Sequence, residues 1–530
     1  MKTRRNIAGI VILLVLTMFL AAGCAGGAGA PEQASIPDVM PDVTAEYTAF
    51  AKRAATEQAL LPVAYDVELS LDTEKDRLTE HVAIKVRNDG AKDASVAYLR
   101  FNPLGYFTYD EKQRPDEAAV NKGKSAAIDS VTIEGTSDAL PLEYAMEGTA
   151  VRAELGDAVV APGQTATIVI EAQTDIPEGQ ERFGLYKCDA GKLYDLGFCF
   201  PHLDTAIDGT WAIDPPTYDS GENRNPARAD FRVTVKAPAE FMVAAAGIEG
   251  EGGGTTTISV KDARDVGLVV CDFMGVDEFE AEGVPVKSYY LKTGDTEAYR
   301  ELASQYVKDA FAKFTEILGP YARGSYALAQ GAEDGMEYSG FAVTSGSPFI
   351  EGDADNYNKT FRNVMHEAAH SWFYDAVGNV EYREGWIDEG FTSYIVSDMA
   401  LMDANLASWE MIRGHSKENP AGADYQQSRK NVNEMTEEKE LKGRERCYLN
   451  QPYGVVDEGD EPGNKEYLYA PIFLGRARAA MGDEAFGAFL RDVYKTYQGK
   501  VATTEEILKL LRSHDDGAEV EKAIAFFFKE

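Results

Sequence analysis

The stretch that decides the fold of this chain is His366-Glu367-Ala368-Ala369-His370. An α-helix turns about every 3.6 residues, so side chains four positions apart lie on one face. The two histidines can therefore reach one metal ion, and the glutamate between them can lean toward a water on it. A third candidate ligand, Glu389, follows after eighteen intervening residues. Two imidazoles and one carboxylate leave one corner of a tetrahedral site open, as a catalytic zinc ion requires.

The apolar residues around these ligands predict two helices. The first has an apolar face at helical spacing from Phe361 to Val377 and is expected to end at Gly378. The second has a similar face from Trp386 to Ala400 and is expected to return Glu389 to the metal. The alternative is an ordinary amphipathic helix with two surface histidines. In a chain with six histidines, chance would produce this motif on the order of 0.01 times.

The residues around the motif resemble a known family. His-Glu-Ala-Ala-His-Ser-Trp-Phe (366–373) and Trp-Ile-Asp-Glu-Gly-Phe-Thr-Ser-Tyr (386–394) are similar to the aminopeptidase N family of gluzincin zinc metallopeptidases. The resemblance implies a single zinc ion bound by His366, His370 and Glu389, with Glu367 as general base. It also implies a bacterial short form, because no long C-terminal helical domain follows residue 530. We therefore expect a more open cleft.

A second element of the resemblance lies upstream, at residues 335–340. Gly-Met-Glu-Tyr-Ser-Gly is similar to the family's exopeptidase motif in its bacterial Gly-Met-Glu-Tyr-Pro form, with Ser339 where proline is usual. The resemblance implies that Glu337 binds the free α-amino group of the substrate, and that Met336 and Gly335 belong to the same substrate site. A carboxylate that pairs with an ammonium group also limits how far the chain enters the cleft.

The family also stabilises the oxyanion with a tyrosine, which usually precedes a Gly-Asp-Glu-Ala-Phe-like turn. Here that turn is residues 482–486, and the register implies Tyr467 as the oxyanion tyrosine. The usual Lys-Gly pair is replaced by Tyr469 and Ala470. Tyr469 therefore stays open as the alternative phenol.

The N-terminal residues predict export and anchoring. Lys2, Arg4 and Arg5 precede an apolar run over 7–22, which is short for a membrane span. Leu-Ala-Ala-Gly-Cys at 20–24 resembles a bacterial lipobox and implies lipidation at Cys24. We therefore expect an extracytoplasmic lipoprotein on the cell membrane. A non-lipidated secreted protein and an uncleaved anchor are the alternatives.

The amino-acid composition argues against one class of binding partner. The formal net charge of −36 argues against nucleic acid, because the phosphate backbone would be repelled. Forty-four per cent hydrophobic residues over 530 positions allow a large core and more than one domain. Cys188 and Cys199 are close enough in sequence for a disulfide in an oxidising compartment, and two free cysteines are the alternative.

The hydrophobic pattern predicts an α+β chain with four segments. These are a signal peptide (1–24), a tether with a short helix (25–60), an N-terminal β domain (61–280) and a catalytic domain (281–530). The β domain includes a pair of strands at 231–238 and 242–247. The resemblance implies a β-saddle or sandwich followed by a thermolysin-like, mainly helical domain. Residues 418–463 are expected to form a loop-rich insertion near the cleft.

These features predict a zinc aminopeptidase that acts on peptides with a free N-terminus. Three alternatives stay open: an endopeptidase on the same scaffold, a non-catalytic lipoprotein that binds ligands, and a hydrolase of esters or epoxides. The presence of all three metal ligands and the general base argues against the binding protein.

Overall fold

The computed structural model describes residues 43–105, 107, 119–145, 149–179, 182–215, 227–331, 335–400, 448–453, 463 and 465–529. The predicted signal peptide, Cys24, the first part of the tether and most of the 418–463 insertion lie outside this set. Within it, no helix combines the length and the apolar character needed to cross a membrane.

The first half of the described chain is a β-sheet domain preceded by one helix, α1 (Val43–Ala54). Its strands are β1 (Leu61–Asp72), β2 (Arg77–Arg87), β3 (Val96–Arg100), β4 (Ala126–Ile133), β5 (Leu142–Ala145), β6 (Ala150–Glu154), β7 (Thr165–Asp175), β8 (Phe183–Cys188), β9 (Gly191–Leu196), β10 (His202–Leu203), β11 (Ala206–Ile207), β12 (Thr210–Trp211), β13 (Ala229–Lys236), β14 (Met242–Ala244), β15 (Ile248–Gly252), β16 (Thr255–Ala263) and β17 (Val269–Cys271).

Most of these strands build three sheets. The largest has the order β15-β16-β13-β1-β2-β7-β4, and two four-stranded sheets have the orders β10-β3-β6-β5 and β14-β17-β9-β8. Buried and exposed residues alternate along β2 and β13, as expected for strands with one face on a core. The predicted pairing of 231–238 with 242–247 is wrong. β13 pairs with β1 and β16, while β14 pairs with β17 in another sheet.

The second half combines one mixed sheet with helices. Its strands are β18 (Met274–Ala281), β19 (Val284–Leu291), β20 (Tyr326–Gly331), β21 (Met336–Tyr338), β22 (Phe341–Ser345), β23 (Val377–Gly378) and β24 (Lys500–Val501). Its helices are α2 (Thr296–Ile317), α3 (Ser347–Glu351), α4 (Tyr357–Ala369), α5 (Glu381–Glu384), α6 (Glu389–Tyr394), α7 (Ala470–Met481), α8 (Asp483–Tyr497), α9 (Thr504–His514) and α10 (Ala518–Phe527).

The mixed sheet has the order β18-β19-β20-β22-β21, and its edge strand β21 carries the exopeptidase-like residues. α4 packs against both α2 and β22. Two hydrophobic clusters fill the interior. One lies in the β-sheet domain and extends to Met336 and Val343, and the other joins the helices from Ala281 to Phe528. The edge strand therefore lies where the two clusters meet. The mixed α+β class predicted from the sequence is confirmed.

The two helices around the ligands differ from the prediction. α4 ends at Ala369 and does not continue to Gly378, because Val377 and Gly378 form β23 and pair with β24. The second helix is divided into a 3-10 turn at Gly385–Ile387, the α-helix α6 and a π-helical turn at Ile395–Ala400. Apolar spacing alone could not reveal these breaks, since tertiary strand pairing competes with helix continuation.

The disulfide between Cys188 and Cys199 is absent from the structure, in which both thiols are free. Cys188 is exposed at the end of β8, whereas Cys199 is buried in the β-sheet cluster. Short sequence separation therefore did not bring the two sulfur atoms together.

One buried acid in the β-sheet domain is unusual. Glu80 lies on the inward face of β2, between Leu78 and Val82, and its side chain is inaccessible to solvent. Neither carboxyl oxygen has a hydrogen-bond partner among the described residues. Burial raises the pKa of Glu80 well above its usual range, with only partial opposition from Thr174.

We predict that Glu80→Met raises the thermal midpoint by about 2–6 °C at pH 8 and by less at pH 5. The unfolded chain ionises Glu80 near pH 4.5, whereas the folded chain resists ionisation. The wild type therefore loses stability as the pH rises above this value, and methionine removes that loss. Calorimetry at both pH values measures the difference. Glu171→Met, on the exposed face of β7, is the control, and an equal shift there would contradict the prediction.

Candidate metal centre and active site

Three potential ligand atoms meet at the end of α4. The Nε2 atoms of His366 and His370 are 3.2 Å apart. Glu389 Oε2 lies 3.2 Å from His366 Nε2 and 3.5 Å from His370 Nε2. A tetrahedral zinc ion with bonds of about 2.0–2.1 Å separates its ligands by about 3.3 Å. The triangle therefore has the size that zinc requires.

Local structure explains how the third ligand reaches the other two. Glu389 is the first residue of α6, and the 3-10 turn before it reverses the chain toward α4. The rings of Phe373 and Phe391 stack with centroids 4.6 Å apart, which fixes α6 against the residues that follow α4. The side chain of His366 is 22% exposed, whereas those of His370 and Glu389 are buried, so the triangle opens on the His366 side.

His370 is oriented by groups on its other ring nitrogen. Its Nδ1 lies 2.8 Å from Asp388 Oδ1 and 3.1 Å from the Phe373 carbonyl oxygen. Both oxygens are acceptors, so Nδ1 carries a hydrogen, and Nε2 is the ring nitrogen that faces the triangle and would bind a metal ion. Burial raises the pKa of Asp388 to about 7, against the opposing effect of His370.

Glu367 is held beside the triangle by a short hydrogen-bond chain. The Ser345 backbone N–H donates to Asn363 Oδ1 at 2.8 Å, and Asn363 Nδ2 donates to Glu367 Oε1 at 3.1 Å. The last residue of β22 thus helps to set the position of this carboxylate. A Cβ atom at Gly335 would lie 2.2 Å from Glu367 Oε1, so any other residue there would displace this carboxylate from its position.

Glu337 completes a compact group of acids. Ligating atoms of Glu337, Glu367 and His370 lie within 4.8 Å of one another, and all three residues are buried. Burial, with a further contribution from Glu337 and Glu389, raises the pKa of Glu367 well above its usual range, although His370 opposes the shift. Burial alone would lower the pKa of His370, but the surrounding carboxylates raise it well above its usual range. Because buried carboxylates need compensating positive charge, this site attracts cations.

The two candidate tyrosines face different surroundings. The ring centroid of Tyr467 is 6.0 Å from that of His366, whereas Tyr469 packs against the helical hydrophobic cluster. Tyr467 lies in a π-helical turn at Lys465–Tyr469, a geometry frequent at functional sites. A Cβ atom at Gly390 would lie 2.5 Å from the Cβ of Ala470, so Gly390 allows this segment to approach Glu389.

The remaining predicted substrate residue, Met336, lies in β21 with 1% exposure, and its side chain belongs to the β-sheet hydrophobic cluster. The structure thus brings together His366, His370, Glu389, Glu367, Glu337 and Gly335, with Tyr467 beside them.

Two contacts at the site were not predicted from the sequence. Asn363 precedes Glu367 by four residues, and this spacing on a helix could have indicated their contact. Asp388 directly precedes Glu389, but its contact with His370 depends on the reversal of the chain, which no local pattern predicts.

Comparison with known proteins relates the second half of the chain to a peptidase family. Residues 327–529 match the sequence model of the Peptidase family M1 domain. Leucine aminopeptidase 2 of Eremothecium gossypii is 21% identical over 322 residues, which cover 59% of this chain and 47% of that protein. Human Aminopeptidase O is 24% identical over 157 residues, covering 28% of this chain and 19% of that protein. Residues 327–529 therefore match the domain of peptidase family M1.

Solved structures of M1 peptidases share the fold over most of the chain. The crystal structure of an M1 zinc metallopeptidase from Deinococcus radiodurans matches with a TM-score of 0.56 at 17% identity. The match covers 89% of this chain and 94% of that one. Native yeast LTA4 hydrolase matches with a TM-score of 0.59 at 14% identity, covering 88% and 66%. The chain spans less than half the length of the two aminopeptidases above.

We predict that Asp388→Asn weakens zinc binding roughly 10- to 100-fold, because His370 loses the carboxylate that fixes its tautomer and orientation. Competition with a chromophoric chelator measures the zinc dissociation constant. Asp492→Asn is the matched control, since Asp492 bonds to His514 at 3.0 Å in a histidine–aspartate pair of α8 and α9. Wild-type zinc affinity in Asp388→Asn would contradict the assigned role.

Proposed function

We propose that this chain is a zinc-dependent aminopeptidase that releases N-terminal residues from peptides. The observation that supports this most strongly is the short distance between two carboxylates. Oxygens of Glu337 and Glu367 lie within 4.8 Å of each other, next to His370 of the zinc triangle. One carboxylate would bind the substrate's ammonium group, and the other would act at the scissile bond.

The distance between the carboxylates of Glu337 and Glu367 matches the length of one substrate residue. The nitrogen and the carbonyl carbon of one residue are about 2.5 Å apart, and each further residue adds about 3.8 Å. An ammonium bound to Glu337 would therefore leave the first carbonyl, and not the second, beside Glu367. An endopeptidase would need open space where Glu337 lies.

Each side chain then has a defined task. A zinc ion bound to His366, His370 and Glu389 would act as a Lewis acid, which lowers the pKa of a bound water and polarises the substrate carbonyl. Glu367, oriented by Asn363, removes the proton from the attacking water and delivers it to the leaving amine. The hydroxyl of Tyr467 donates a hydrogen bond to the carbonyl oxygen as negative charge develops there, a contribution of about 3 kcal/mol.

Relatives support a peptide substrate. A variant of the Deinococcus radiodurans M1 zinc metallopeptidase has been crystallised with a Tyr-Ser-Ala substrate. Three curated relatives are named as aminopeptidases.

We also propose that the enzyme works outside the cytoplasm, attached to the cell membrane through lipid on Cys24. Support comes from the basic residues before the apolar run at 7–22 and from the lipobox-like ending at 20–24. Two acyl chains anchor a protein stably, whereas one gives only reversible binding.

The decisive experiment compares aminoacyl amides and tripeptides with their N-acetylated forms. We expect the zinc-loaded wild type to hydrolyse only the free amines. Glu337→Gln should lower kcat/KM for the free amines roughly 10- to 100-fold, because it removes a charge-assisted hydrogen bond. Glu367→Gln should lower kcat at least about 100-fold while zinc stays bound.

Other outcomes would identify the alternatives. Cleavage of the acetylated peptides at internal bonds would indicate an endopeptidase. Hydrolysis of esters or epoxides without peptides would indicate a different hydrolase. Tight peptide binding by zinc-loaded protein without any turnover would indicate a binding subunit.

Cys24→Ser tests the anchor. We expect the wild type in the detergent phase of a Triton X-114 extract and the variant in the aqueous phase, because the variant cannot be acylated. Metabolic labelling with a fatty acid checks the modification directly. Equal labelling of both proteins would contradict lipidation at Cys24. Membrane retention of both proteins without fatty-acid label would indicate an uncleaved anchor at residues 7–22 instead.

A further inference from the structure

Two residues of the β-sheet domain contact both sides of the active site. Arg264 and Asp265 directly follow β16 and are buried, at 5% and 8% exposure. Their partners are Ser339, two residues after Glu337, and Tyr374, four residues after His370. The dipeptide thus joins the exopeptidase-like strand to the turn that follows the zinc helix.

The contacts with the strand depend on serine. The Ser339 backbone N–H donates to Asp265 Oδ1 at 2.8 Å, and the Arg264 backbone N–H donates to Ser339 Oγ at 3.0 Å. Proline could form neither bond, because it lacks both the N–H and the hydroxyl. Ser339, the departure from the related motif, therefore creates a latch at the end of the strand that carries Glu337.

The contacts with the turn hold a strained residue. Tyr374 has a φ angle of 124°, which is rare and strained for a bulky side chain. Its hydroxyl donates to Asp265 Oδ2, and the Arg264 guanidinium lies 4.2 Å from its ring centroid. Arg264 Nη1 also donates to the Tyr374 carbonyl at 3.1 Å. The ring centroid of Tyr374 is 6.5 Å from that of His370.

A buried ion pair fixes the arginine itself. Arg264 Nη2 lies 3.0 Å from Glu381 Oε1, and neither side chain is more than 1% exposed. The same nitrogen donates to the Asn379 carbonyl at 3.2 Å. Such a pair contributes little net stability but specifies one arrangement of the groups around it.

We propose that Arg264 and Asp265 are positioning residues that set the distance between the amine-binding Glu337 and the zinc-binding His370. One oxygen of the Asp265 carboxylate accepts a hydrogen bond from the Ser339 backbone N–H, and the other accepts one from the Tyr374 hydroxyl. The carboxylate therefore acts as a fixed spacer between these two residues. An asparagine can accept on one side only and would have to donate on the other, which reverses the bond with the Tyr374 hydroxyl and removes the carboxylate charge. This inference rests on the proposed aminopeptidase function.

The test compares α-aminoacyl amides with β-aminoacyl amides, whose amine is one carbon, about 1.5 Å, farther from the carbonyl. A rigid spacer should favour the α substrates strongly. We expect Asp265→Asn and Ser339→Ala to reduce the α/β ratio of kcat/KM at least about fivefold, because small displacements of the amine change the rate steeply. A defect confined to folding would lower both rates equally and leave the ratio unchanged.

Asp272→Asn is the matched control, since Asp272 also accepts a backbone N–H, from Lys192 at 2.8 Å, away from the site. An unchanged α/β ratio in both test variants would overturn the proposal. If the wild type hydrolyses neither substrate, the proposed function fails, and hydrogen exchange tests the spacer independently. Amides 336–340 and 371–377 should then exchange at least about tenfold faster in Ser339→Ala than in the wild type, because the variant loses the hydrogen bond from the Arg264 backbone N–H to Ser339 Oγ. Unchanged exchange would again overturn the spacer.

Discussion

The active site depends on electrostatic balance among buried acids. Glu337, Glu367, Asp388 and Glu389 are all at most 5% exposed and surround two imidazoles. Buried carboxylates are unfavourable unless cations or donors compensate them. A metal ion in the triangle and an ammonium at Glu337 would each supply positive charge where the acids are closest. The same requirement explains why each acid has a specific partner, such as Asn363 for Glu367 and His370 for Asp388.

Close packing of backbone segments keeps these acids together. Gly335 lets the exopeptidase-like strand approach Glu367, and Gly390 lets the turn that carries Tyr467 approach Glu389. A side chain at either position would lie within 2.5 Å of its neighbour, so one of the elements would have to move. Both glycines therefore contribute to the site because they lack a side chain, which leaves room for the neighbouring groups.

The β-sheet domain takes part in the site through polar contacts. Arg264 and Asp265 reach Ser339 and Tyr374, and Arg383 forms an ion pair with Asp214 at 2.8 Å. Hydrogen bonds and ion pairs are directional, so they define one relative position of the elements they join. The strained backbone at Tyr374 is consistent with this requirement, since strain persists only where surrounding contacts hold it.

The sequence by itself determined the His-His-Glu set of candidate metal ligands and the mixed α+β class, and it predicts Glu367 as the general base. These depend on local patterns: four-residue spacing places His366 and His370 on one helix face, and short alternating runs followed by helical ones indicate the mixed class. Only the tertiary structure decided where α4 ends, which strands pair, that Cys188 and Cys199 stay apart and how Asp265 reaches Ser339 and Tyr374. Those outcomes depend on contacts between residues far apart in the chain, and local spacing carries no information about them.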